Sequence, residues 1–362
     1  MSTKTILPFK KPLVGRQQLA LLEKLCNAVA VSGDEGEVRQ IVIEQVKPYA
    51  DDLKVDALGN VLVTHKAKSR NALKVMLAAH MDEVGFMLVE SEEGGLFRFE
   101  LVGGIDERIL PAKPVWVGRG HVPGVIGAKP IHLTEKGETE HTIALDTMRI
   151  DVGPDKGKLK VGDRATFATP FQRVGPSLRA KALDDRIGVA SLIELLRHAP
   201  EHIELQVAFT VQEEVGLRGA RVAGYAFDPD LAFALDNTPA FDLPSWDGEE
   251  NTQYNTRLGA GPAIYLADSG TLSDPRLIRH LVTVADKYGI PYQFRQPGGG
   301  GTDAGAIHKQ RAGIPSVSIS VPGRYAHTPA LISRVSDWEN TIELMLAALH
   351  DLRPDILKTD RA

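Results

Sequence analysis

The sequence predicts an α/β protein in which helices flank a mostly parallel sheet and a small all-β domain interrupts the chain. Apolar, β-branched runs alternate with amphipathic helical segments in the first and last parts of the 362-residue chain, a pattern typical of helix-covered parallel sheets. Between residues 84 and 175 the runs become short and β-like, separated by Gly, Pro and Asp. We therefore predict one α/β domain built from residues 1–83 and 176–362, with residues 84–175 as a β-rich insertion.

The first part of the chain predicts two helices followed by strands. Residues 16–29 and 35–49 have amphipathic periodicity and are separated by "VSGDEG", whose residue types favour turns and helix N-caps. "LKVDALGNVLVTH" predicts a hairpin with a Gly-Asn turn, and "ALKVMLAAH" predicts a strand covered on both faces. Cys26 lies on the apolar side of the first helix, so we expect a core residue, and no intrachain disulfide can form.

The last part of the chain predicts alternating helices and strands. The helical segments are "DDRIGVASLIELLRHA", "LRGARVAGYA", "DPRLIRHLVTVADKYG" and "SDWENTIELMLAALHDL". The strands are "IELQVAFTV", "DLAFALD" and "IPSVSISV". Helix and strand in alternation predict parallel strands with their connecting helices on the sheet faces.

The composition excludes several classes of protein. Hydrophobic residues make up 43% of the chain and charged residues 25%, as in globular proteins. A formal net charge of -5 argues against a nucleic-acid partner, which would require clustered basic residues in excess. The N-terminal "MSTKTILPFKKPLVG" is interrupted by Pro8 and lysines, so it does not resemble a secretory signal. No segment is apolar over the roughly 18 residues that cross a membrane, so we predict a cytoplasmic protein with no membrane partner.

Polar residues able to bind metals follow each apolar run. In an open α/β sheet, ligands bind beyond the carboxyl ends of the strands. These positions hold two histidines and several carboxylates: His80, Asp82, Glu213, Glu214, Asp236 and His327. Because so many carboxylates in one crevice would repel each other and resist desolvation, bound cations are expected. Nitrogen and oxygen ligands without thiolate suit zinc, cobalt or manganese.

Two carboxylate pairs need separate interpretation. Asp184 and Asp185 begin a helix, where capping alone would explain them, but beside the strand-end residues one of the two becomes a candidate to bridge two metals. Glu213 and Glu214 are adjacent, and adjacent side chains on a strand point to opposite faces. Both can serve one site only if the backbone leaves the strand at about Gln212.

Two further features complete the candidate site. Asp82 shares a face with His80 in an extended chain, so it is a candidate to orient the His80 imidazole. The glycine run "PGGGGTDAGAIH" fits neither a P-loop nor a dinucleotide-binding fingerprint. We expect a loop that brings backbone close to a substrate, with Thr302, Asp303 and His308 as candidate substrate-binding residues.

Several motifs together resemble one family. "AHMDEVG", "KALDDRIG", "VQEEVG", "ALD", "GGGGTDAGAIH" and "GRYAHTP" occur here in the order found in the dinuclear-metal aminopeptidases that form tetrahedral dodecamers, the TET-type enzymes. The earlier "SGDEGEVRQ" and "DALGNV" are similar to that family too, so the resemblance covers nearly the whole chain.

The resemblance implies a zinc-exopeptidase-like fold and a role for each residue. His80 would bind one metal and His327 the other, Asp184 would bridge them, and Glu214 and Asp236 would each complete one metal's ligands. Glu213 would be the general base for a metal-bound water, and Asp82 would hold His80. The resemblance also implies two divalent metal ions per chain, with zinc or cobalt favoured and manganese possible.

The resemblance further implies a cis peptide between Asp184 and Asp185. The β-rich insertion would serve assembly into a homo-oligomer, a dodecamer in this family. The substrates would be peptides with a free N-terminus, cleaved by an exopeptidase. The stretches "NTPAFDLPSWDGEENTQYNTRLGAG" and "TPALIS" differ from the family's pattern, so the preferred N-terminal residue is not predicted.

Two other functions compete with a metal-dependent aminopeptidase. Relatives have been labelled endoglucanases, and a metal-independent glycoside hydrolase would use two carboxyl groups about 5 to 9.5 Å apart. That chemistry leaves His80 and His327 without a role. A non-catalytic binding protein on the same fold would be expected to lack one or more of the ligand residues, and none is missing.

Overall fold

The computed structural model describes residues 13–154, 157–253 and 255–361. Residues 1–12, which include most of the segment that differs from a secretory signal, lie outside the described residues. Among the described residues, no helix combines the length and apolar character needed to cross a membrane.

Seven α-helices and seventeen strands make up the regular structure of the described residues. The helices are α1 (Arg16–Asn27), α2 (Gly36–Val46), α3 (Leu183–Arg197), α4 (Arg218–Phe227), α5 (Pro275–Tyr288), α6 (Ala304–Ile307) and α7 (Val335–Asp351). The first nine strands are β1 (Asp52–Val55), β2 (Val61–His65), β3 (Lys74–His80), β4 (Gly85–Ser91), β5 (Leu96–Val102), β6 (Pro114–Val117), β7 (Val122–Gly127), β8 (Arg149–Asp151) and β9 (Arg164–Phe167). The remaining strands are β10 (Gln172–Val174), β11 (Ser177–Ala180), β12 (Glu204–Thr210), β13 (Leu231–Pro239), β14 (Ala263–Tyr265), β15 (Gln293–Arg295), β16 (Ser316–Arg324) and β17 (Leu331–Arg334).

The large sheet is mixed, so the prediction of a mostly parallel sheet is wrong. Its order is β1-β2-β12-β3-β13-β16-β17-β11-β10, with β14 and β15 attached beside β16. On this path only the central strands β12, β3, β13 and β16 run parallel to one another. Short connections join β1 to β2, β10 to β11 and β16 to β17, and these pairs are antiparallel because a parallel pair needs a long crossover connection.

Helices cover both faces of this sheet, as the continuous apolar strands predict. Along β3, Val75 and Leu77 point into the larger core beneath α1, α2, α3, α5 and α7, whereas Met76 and Ala78 point into a smaller core with α4 and α6. Full burial of a side chain of this size stabilises the fold by about 1.5–3 kcal/mol. Cys26 is buried in the larger core, as predicted.

The insertion forms a closed antiparallel barrel in the order β4-β5-β8-β7-β6-β9. Phe86 fills its centre and makes edge-to-face contacts with Phe99 and Phe167, with ring centroids 5.3 and 5.2 Å apart. The barrel strands run from Gly85 to Phe167, while β10, which lies inside the predicted insertion, pairs with β11 in the large sheet.

A buried ion cluster joins the barrel to the large sheet. The Glu83 carboxylate accepts hydrogen bonds from Lys181 Nζ at 2.6 Å, Arg186 Nη2 at 3.1 Å and the barrel residue Thr166 Oγ1 at 2.8 Å. Arg186 Nε also donates to the Met81 carbonyl at 2.9 Å. The cluster therefore fixes the chain segment that directly follows β3.

Candidate active site

The polar residues that follow the central strands meet at one edge of the sheet. Parallel strands place their carboxyl ends together, and Thr210 at the end of β12 pairs in register with His80 at the end of β3. Asp236 lies near the end of β13, and His327 lies in the loop that follows β16. The start of α3 adds Asp184 to the same crevice.

His80 lies at the buried side of the crevice, with a side chain 2% exposed. Its Nε2 is 3.2 Å from Asp184 Oδ1, 3.7 Å from Asp236 Oδ1 and 4.0 Å from Glu213 Oε2. Its Nδ1 is 3.2 Å from the Asp82 carbonyl and 3.6 Å from Asp82 Oδ1. Because a carbonyl oxygen only accepts hydrogen bonds, Nδ1 carries a proton, and Nε2 is the nitrogen that faces the carboxylates and is placed to bind a metal ion.

His327 lies on the open side of the crevice, with a side chain 40% exposed. Its Nε2 is 3.3 Å from Glu214 Oε2 and 3.6 Å from Asp184 Oδ2. Its Nδ1 donates to the carbonyl of Gly104, a barrel residue, at 2.8 Å. Nδ1 therefore carries a proton here too, and Nε2 again faces the carboxylates of the site.

The Asp184 carboxylate lies between the two histidines. Oδ1 faces His80 and Oδ2 faces His327, at 3.2 and 3.6 Å from the respective Nε2 atoms. Ligand atoms of His80, Asp184 and Glu214 lie within 4.8 Å of one another. This arrangement of nitrogen and carboxylate donors fits divalent metal ions, and Asp184 presents one oxygen toward each histidine.

Asp185 is a site residue to which the sequence assigns no separate role. It is fully buried, and its carboxylate accepts from the backbone N–H groups of His80 at 3.3 Å and Gly188 at 3.0 Å. Its ligand atoms also lie within 4.8 Å of those of His80 and Asp236. The Asp184-Asp185 peptide is cis, as the resemblance implies.

Glu213 and Glu214 lie on a turn and not on a strand. β12 ends at Thr210, and Gln212 has a φ of 56°, so the predicted departure of the backbone at Gln212 is confirmed. The Asp82 carboxylate fixes this turn by accepting from the N–H groups of Glu213 at 3.0 Å and Glu214 at 3.2 Å. Ser32 Oγ donates to the same carboxylate at 2.6 Å, a contact that no sequence pattern indicated.

Burial and charge repulsion shift the acid strength of the site residues. Burial raises the pKa of Glu214 to about 8 and that of Asp236 to about 7, and the charge of Asp184 adds to both shifts. Burial likewise raises the pKa of Glu213 well above its ordinary value, with Asp236 and Glu214 contributing. Burial lowers the pKa of His80, but the surrounding carboxylates outweigh this effect and raise it. The cluster thus carries the charge conflict that cations would resolve.

The glycine-rich loop forms one wall of a cavity of about 560 Å³ in front of this cluster. Gly299, Gly300 and Gly301 line it, so backbone approaches the cavity as the sequence predicts. The three side chains predicted to bind substrate lie elsewhere and do not line the cavity.

Each of these three side chains is held by a neighbouring element. Thr302 is buried, with its Oγ1 2.6 Å from Ser318 Oγ, and Asp303 is buried and accepts from Thr210 Oγ1 at 2.5 Å. His308 Nδ1 is 2.8 Å from the Ala304 carbonyl of its own turn. These contacts hold the side chains away from the cavity, which the glycine pattern alone does not reveal.

The cavity wall contains residues that the sequence did not single out. Tyr265 and Arg295, at the ends of the short strands β14 and β15, line it together with Asn237, Pro239 and Ser269. Strands of three residues show too little periodicity to be predicted, so the residues at their ends are not recognised from the sequence. The available signal was an arginine three residues before the first glycine of the run, in "QFRQPGGGG".

Two histidines and several carboxylates beyond the strand ends of a helix-covered mixed sheet form a candidate site for divalent metals, the kind of site found in metal-dependent hydrolases. A family model described as M42 glutamyl aminopeptidase matches residues 59–344. The chain therefore belongs to the M42 aminopeptidase family, as the resemblance to TET-type enzymes predicts.

Named relatives cover most of the chain. It is 36% identical over 335 residues to a putative aminopeptidase from Acetivibrio thermocellus, covering 91% of this chain and 97% of the relative. It is 35% identical to a lysyl aminopeptidase from Pyrococcus furiosus, with 92% and 97% covered, and 31% identical to a glutamyl aminopeptidase from Lactococcus lactis, with 92% and 96% covered. The predicted aminopeptidase, an exopeptidase, is thereby confirmed.

Solved structures agree with this assignment. An aminopeptidase from Desulfurococcus kamchatkensis superposes with a TM-score of 0.88 at 36% identity, over 94% of this chain and 97% of that one. The Pyrococcus horikoshii TET1 peptidase, which can assemble into a tetrahedron or an octahedral shell, gives 0.81 at 32% identity, over 92% and 100%. A Thermotoga maritima protein called an endoglucanase gives 0.75 at 30% identity, over 93% and 98%. That label does not support the glycoside-hydrolase alternative, because the family is one of peptidases.

Proposed function

We propose that this aminopeptidase works with two divalent metal ions shared through Asp184. The observation that carries the proposal is the placement of one Asp184 oxygen toward each histidine. His80, Asp184 and Asp236 would hold one ion, and His327, Asp184 and Glu214 the other. Zinc or cobalt suits these nitrogen and oxygen donors best, and manganese fits less closely.

The metals supply Lewis-acid activation of the attacking water and of the scissile carbonyl. Glu213 remains for proton transfer, since its Oε2 lies 4.0 Å from His80 Nε2 and the other residues suffice as ligands. Its carboxylate takes a proton from the attacking water and passes it to the departing amine. A raised pKa suits a group that must hold and then release a proton.

Asp82 acts by holding His80 and the two glutamates in position. Its carboxylate accepts from the N–H groups of both glutamates and lies 3.6 Å from His80 Nδ1. It therefore fixes the orientation of His80 and the separation of the two glutamate side chains. Such outer partners commonly set the affinity of a metal site.

The proposed substrates are peptides with a free N-terminus that enter the cavity in front of the cluster. The relatives named lysyl and glutamyl aminopeptidase carry the names of oppositely charged residues, so these names leave the preference of this chain open. Thr302, Asp303 and His308 would support the glycine-rich wall of the cavity and not touch the substrate.

We also propose a division of labour between the domains. Residues 1–83 and 176–362 would form a catalytic domain of the zinc-exopeptidase type, and residues 84–175 would serve assembly. Solved relatives that form tetrahedral shells support a homo-oligomer, with a dodecamer as the proposed state.

The two adjacent glutamates provide the test. Glu213→Gln should retain about two metal ions per chain and lose turnover by about 100- to 10,000-fold, the usual contribution of a general base. Glu214→Gln, an isosteric change one residue away, should lose one ion. Metal content by elemental analysis and hydrolysis of aminoacyl 4-nitroanilides measure both. Equal loss of metal in the two variants would contradict the assigned roles.

A further inference from the structure

The two glutamates of the candidate active site lie on a turn whose ends are closed on each other. The turn runs from Val211, after β12, to Gly219 in α4, and the Gly219 N–H donates to the Val211 carbonyl at 2.9 Å. Within it, Gln212, Gly216 and Leu217 have φ values of 56°, 117° and 57°. Non-glycine residues keep such left-handed backbone only where surrounding contacts hold it. The position of the glutamates therefore depends on the contacts that hold the turn.

The side chain of Asn60 bridges the two ends of this turn. It lies just before β2 and is fully buried. Its Oδ1 accepts from the Val211 N–H at 3.0 Å, and its Nδ2 donates to the Gly219 carbonyl at 3.1 Å. A primary amide presents an acceptor and a donor side by side, so one side chain bonds both ends of the turn.

Asn60 is itself held by the loop between β1 and β2. Asp56 Oδ1 accepts from the N–H groups of Leu58, Gly59 and Asn60 at 2.9, 2.9 and 3.0 Å, and Asp56 Oδ2 accepts from Asn60 Nδ2 at 2.6 Å. The carboxylate and the carbonyl both require a donor, while the Val211 N–H requires an acceptor, so the orientation of the amide is fixed. The motif "DALGNV" thereby supports a turn about 150 residues further along the chain.

The turn is held at its ends and in its middle by different side chains. The Asp82 carboxylate accepts from the N–H groups of Glu213 and Glu214, whereas Asn60 closes the ends. In the metal-loaded enzyme, Glu214 would also be fixed by the ion that it binds. Glu213 Oε2 lies 4.0 Å from His80 Nε2, beyond hydrogen-bond distance, so the backbone of the turn places this carboxylate.

We infer that Asn60 is a positioning residue for proton transfer, which keeps the Glu213 carboxylate within reach of the attacking water. The Asn60 side chain does not line the cavity, so it acts through the turn. This inference rests on the proposed function, because that function assigns proton transfer to Glu213. Loosening the turn should lower kcat and leave substrate binding and the metal ions in place, since a displacement of about 1 Å costs on the order of 100-fold in rate.

The first experiment removes the donor of the amide without changing its shape. Asn60→Asp keeps an oxygen for the Val211 N–H but sets the other oxygen against the Gly219 carbonyl and the Asp56 carboxylate. With leucyl 4-nitroanilide and zinc-loaded enzyme, kcat per metal-loaded chain should fall by about 10- to 100-fold. KM should stay within about twofold, and the zinc content should match that of the unmodified enzyme.

The matched control is a second buried amide at the opposite end of β12. Gln206 is 5% exposed, and its Nε2 donates to Glu204 Oε1 at 3.0 Å and to the Phe227 carbonyl at 3.4 Å. Gln206→Glu therefore sets a carboxylate against the same two kinds of partner. It should lower thermal stability to a similar degree and leave kcat unchanged. An equal loss of kcat in both variants would reduce the effect to general destabilisation and overturn the inference.

The second experiment opens the same contact from the other side. In Gly219→Ala the added Cβ would lie 2.2 Å from Asn60 Oδ1 and 2.5 Å from the Val211 carbonyl oxygen, so we expect the same fall in kcat at unchanged KM. The control is Gly224→Ala in the same helix, where the nearest atom is the flexible Gln310 Cγ at 3.2 Å. Both changes raise helix propensity alike, so a difference between them reports the turn.

The outcomes separate this inference from the proposed function. Full turnover in Glu213→Gln, or an unmodified enzyme that hydrolyses no aminoacyl nitroanilide, contradicts the proposed function and the inference with it. If Glu213→Gln is inactive and Asn60→Asp keeps full kcat, the inference alone is overturned. Zinc loss in Asn60→Asp equal to that in Glu214→Gln would also overturn it, because Asn60 would then support metal binding. Should Asn60→Asp not fold, Gly219→Ala decides.

Discussion

The two halves of the metal cluster differ in how the fold supports them. The half around His80 is buried, and the ion cluster of Glu83, Lys181 and Arg186 holds the chain beside it through the Met81 carbonyl. In the other half, the His327 side chain is 40% exposed, lies on a loop and is oriented by one carbonyl of the barrel residue Gly104.

This difference indicates unequal tasks for the two halves. A buried position on a strand end has little freedom to move, so the ion at His80 should bind tightly and exchange slowly. The exposed position at His327 faces the cavity and depends on contact between two domains. We therefore expect the ion at His327 to be the weaker and more readily exchanged one.

Removal of each histidine should produce the largest effects and the clearest contrast. His80→Ala should lower kcat/KM by at least about 1,000-fold, because a metal centre supplies several kcal/mol of transition-state stabilisation. His80→Ala should also weaken metal binding by Asp184, which we propose to be shared by the two ions. His327→Ala should retain close to one tightly bound ion per chain. Elemental analysis after gel filtration measures the stoichiometry, and greater metal loss in His327→Ala would reverse the order of the two halves.

The ion cluster behind His80 is expected to contribute strongly to stability. Glu83→Ala leaves Lys181 and Arg186 without their buried carboxylate and should lower the free energy of unfolding by about 3–5 kcal/mol. The control is Glu90→Ala, which breaks the exposed pair with Arg98 and should cost about 0–1 kcal/mol. Chemical denaturation of the metal-free proteins measures both.

The Glu83 carboxylate gives the stability of the unmodified protein an expected pH dependence. Burial raises the pKa of Glu83, but Lys181 and Arg186 outweigh this effect and hold it below its ordinary value of 4.5. The folded pKa is therefore lower than the unfolded one, so the stabilisation is present above about pH 4.5 and is lost as the pH falls below it. Glu83→Gln should reduce this acid sensitivity. An unchanged acid profile in that variant would show that other carboxylates dominate.

The barrel turn beside His327 should give a smaller effect. Gly103 has a φ of 86°, and an added Cβ would lie 2.7 Å from Val84 Cγ1 and 3.3 Å from Glu214 Cβ. Gly103→Ala should cost about 1–3 kcal/mol and loosen the ion at His327 in preference to the ion at His80. Gly94→Ala has a similar φ of 74° but no neighbour within 4 Å, so it reports the backbone strain alone. Equal zinc affinity in the two variants would show that the turn does not support the metal cluster.

Much of the large domain could be predicted because its signals are local. Continuous apolar runs identified the central strands. The polar residues that follow these runs, including His80 and Asp236, lie together at one sheet edge. Even the turn at Gln212 followed from the requirement that Glu213 and Glu214 serve one site. The antiparallel outer strands were not predicted, because strand direction depends on which neighbours pair and periodicity does not record that.

The sequence by itself determined the kinds of ligand, their strand-end positions, the β-rich character of the insertion and the family. Tertiary structure alone decided which atoms face each other: the Gly104 carbonyl against His327, 223 residues away, and Arg295 in the cavity wall. It also turned Thr302, Asp303 and His308 away from that cavity. The physical reason is the distance along the chain over which each effect acts. Propensity and periodicity act over a few residues, whereas these contacts arise only when distant segments pack against each other.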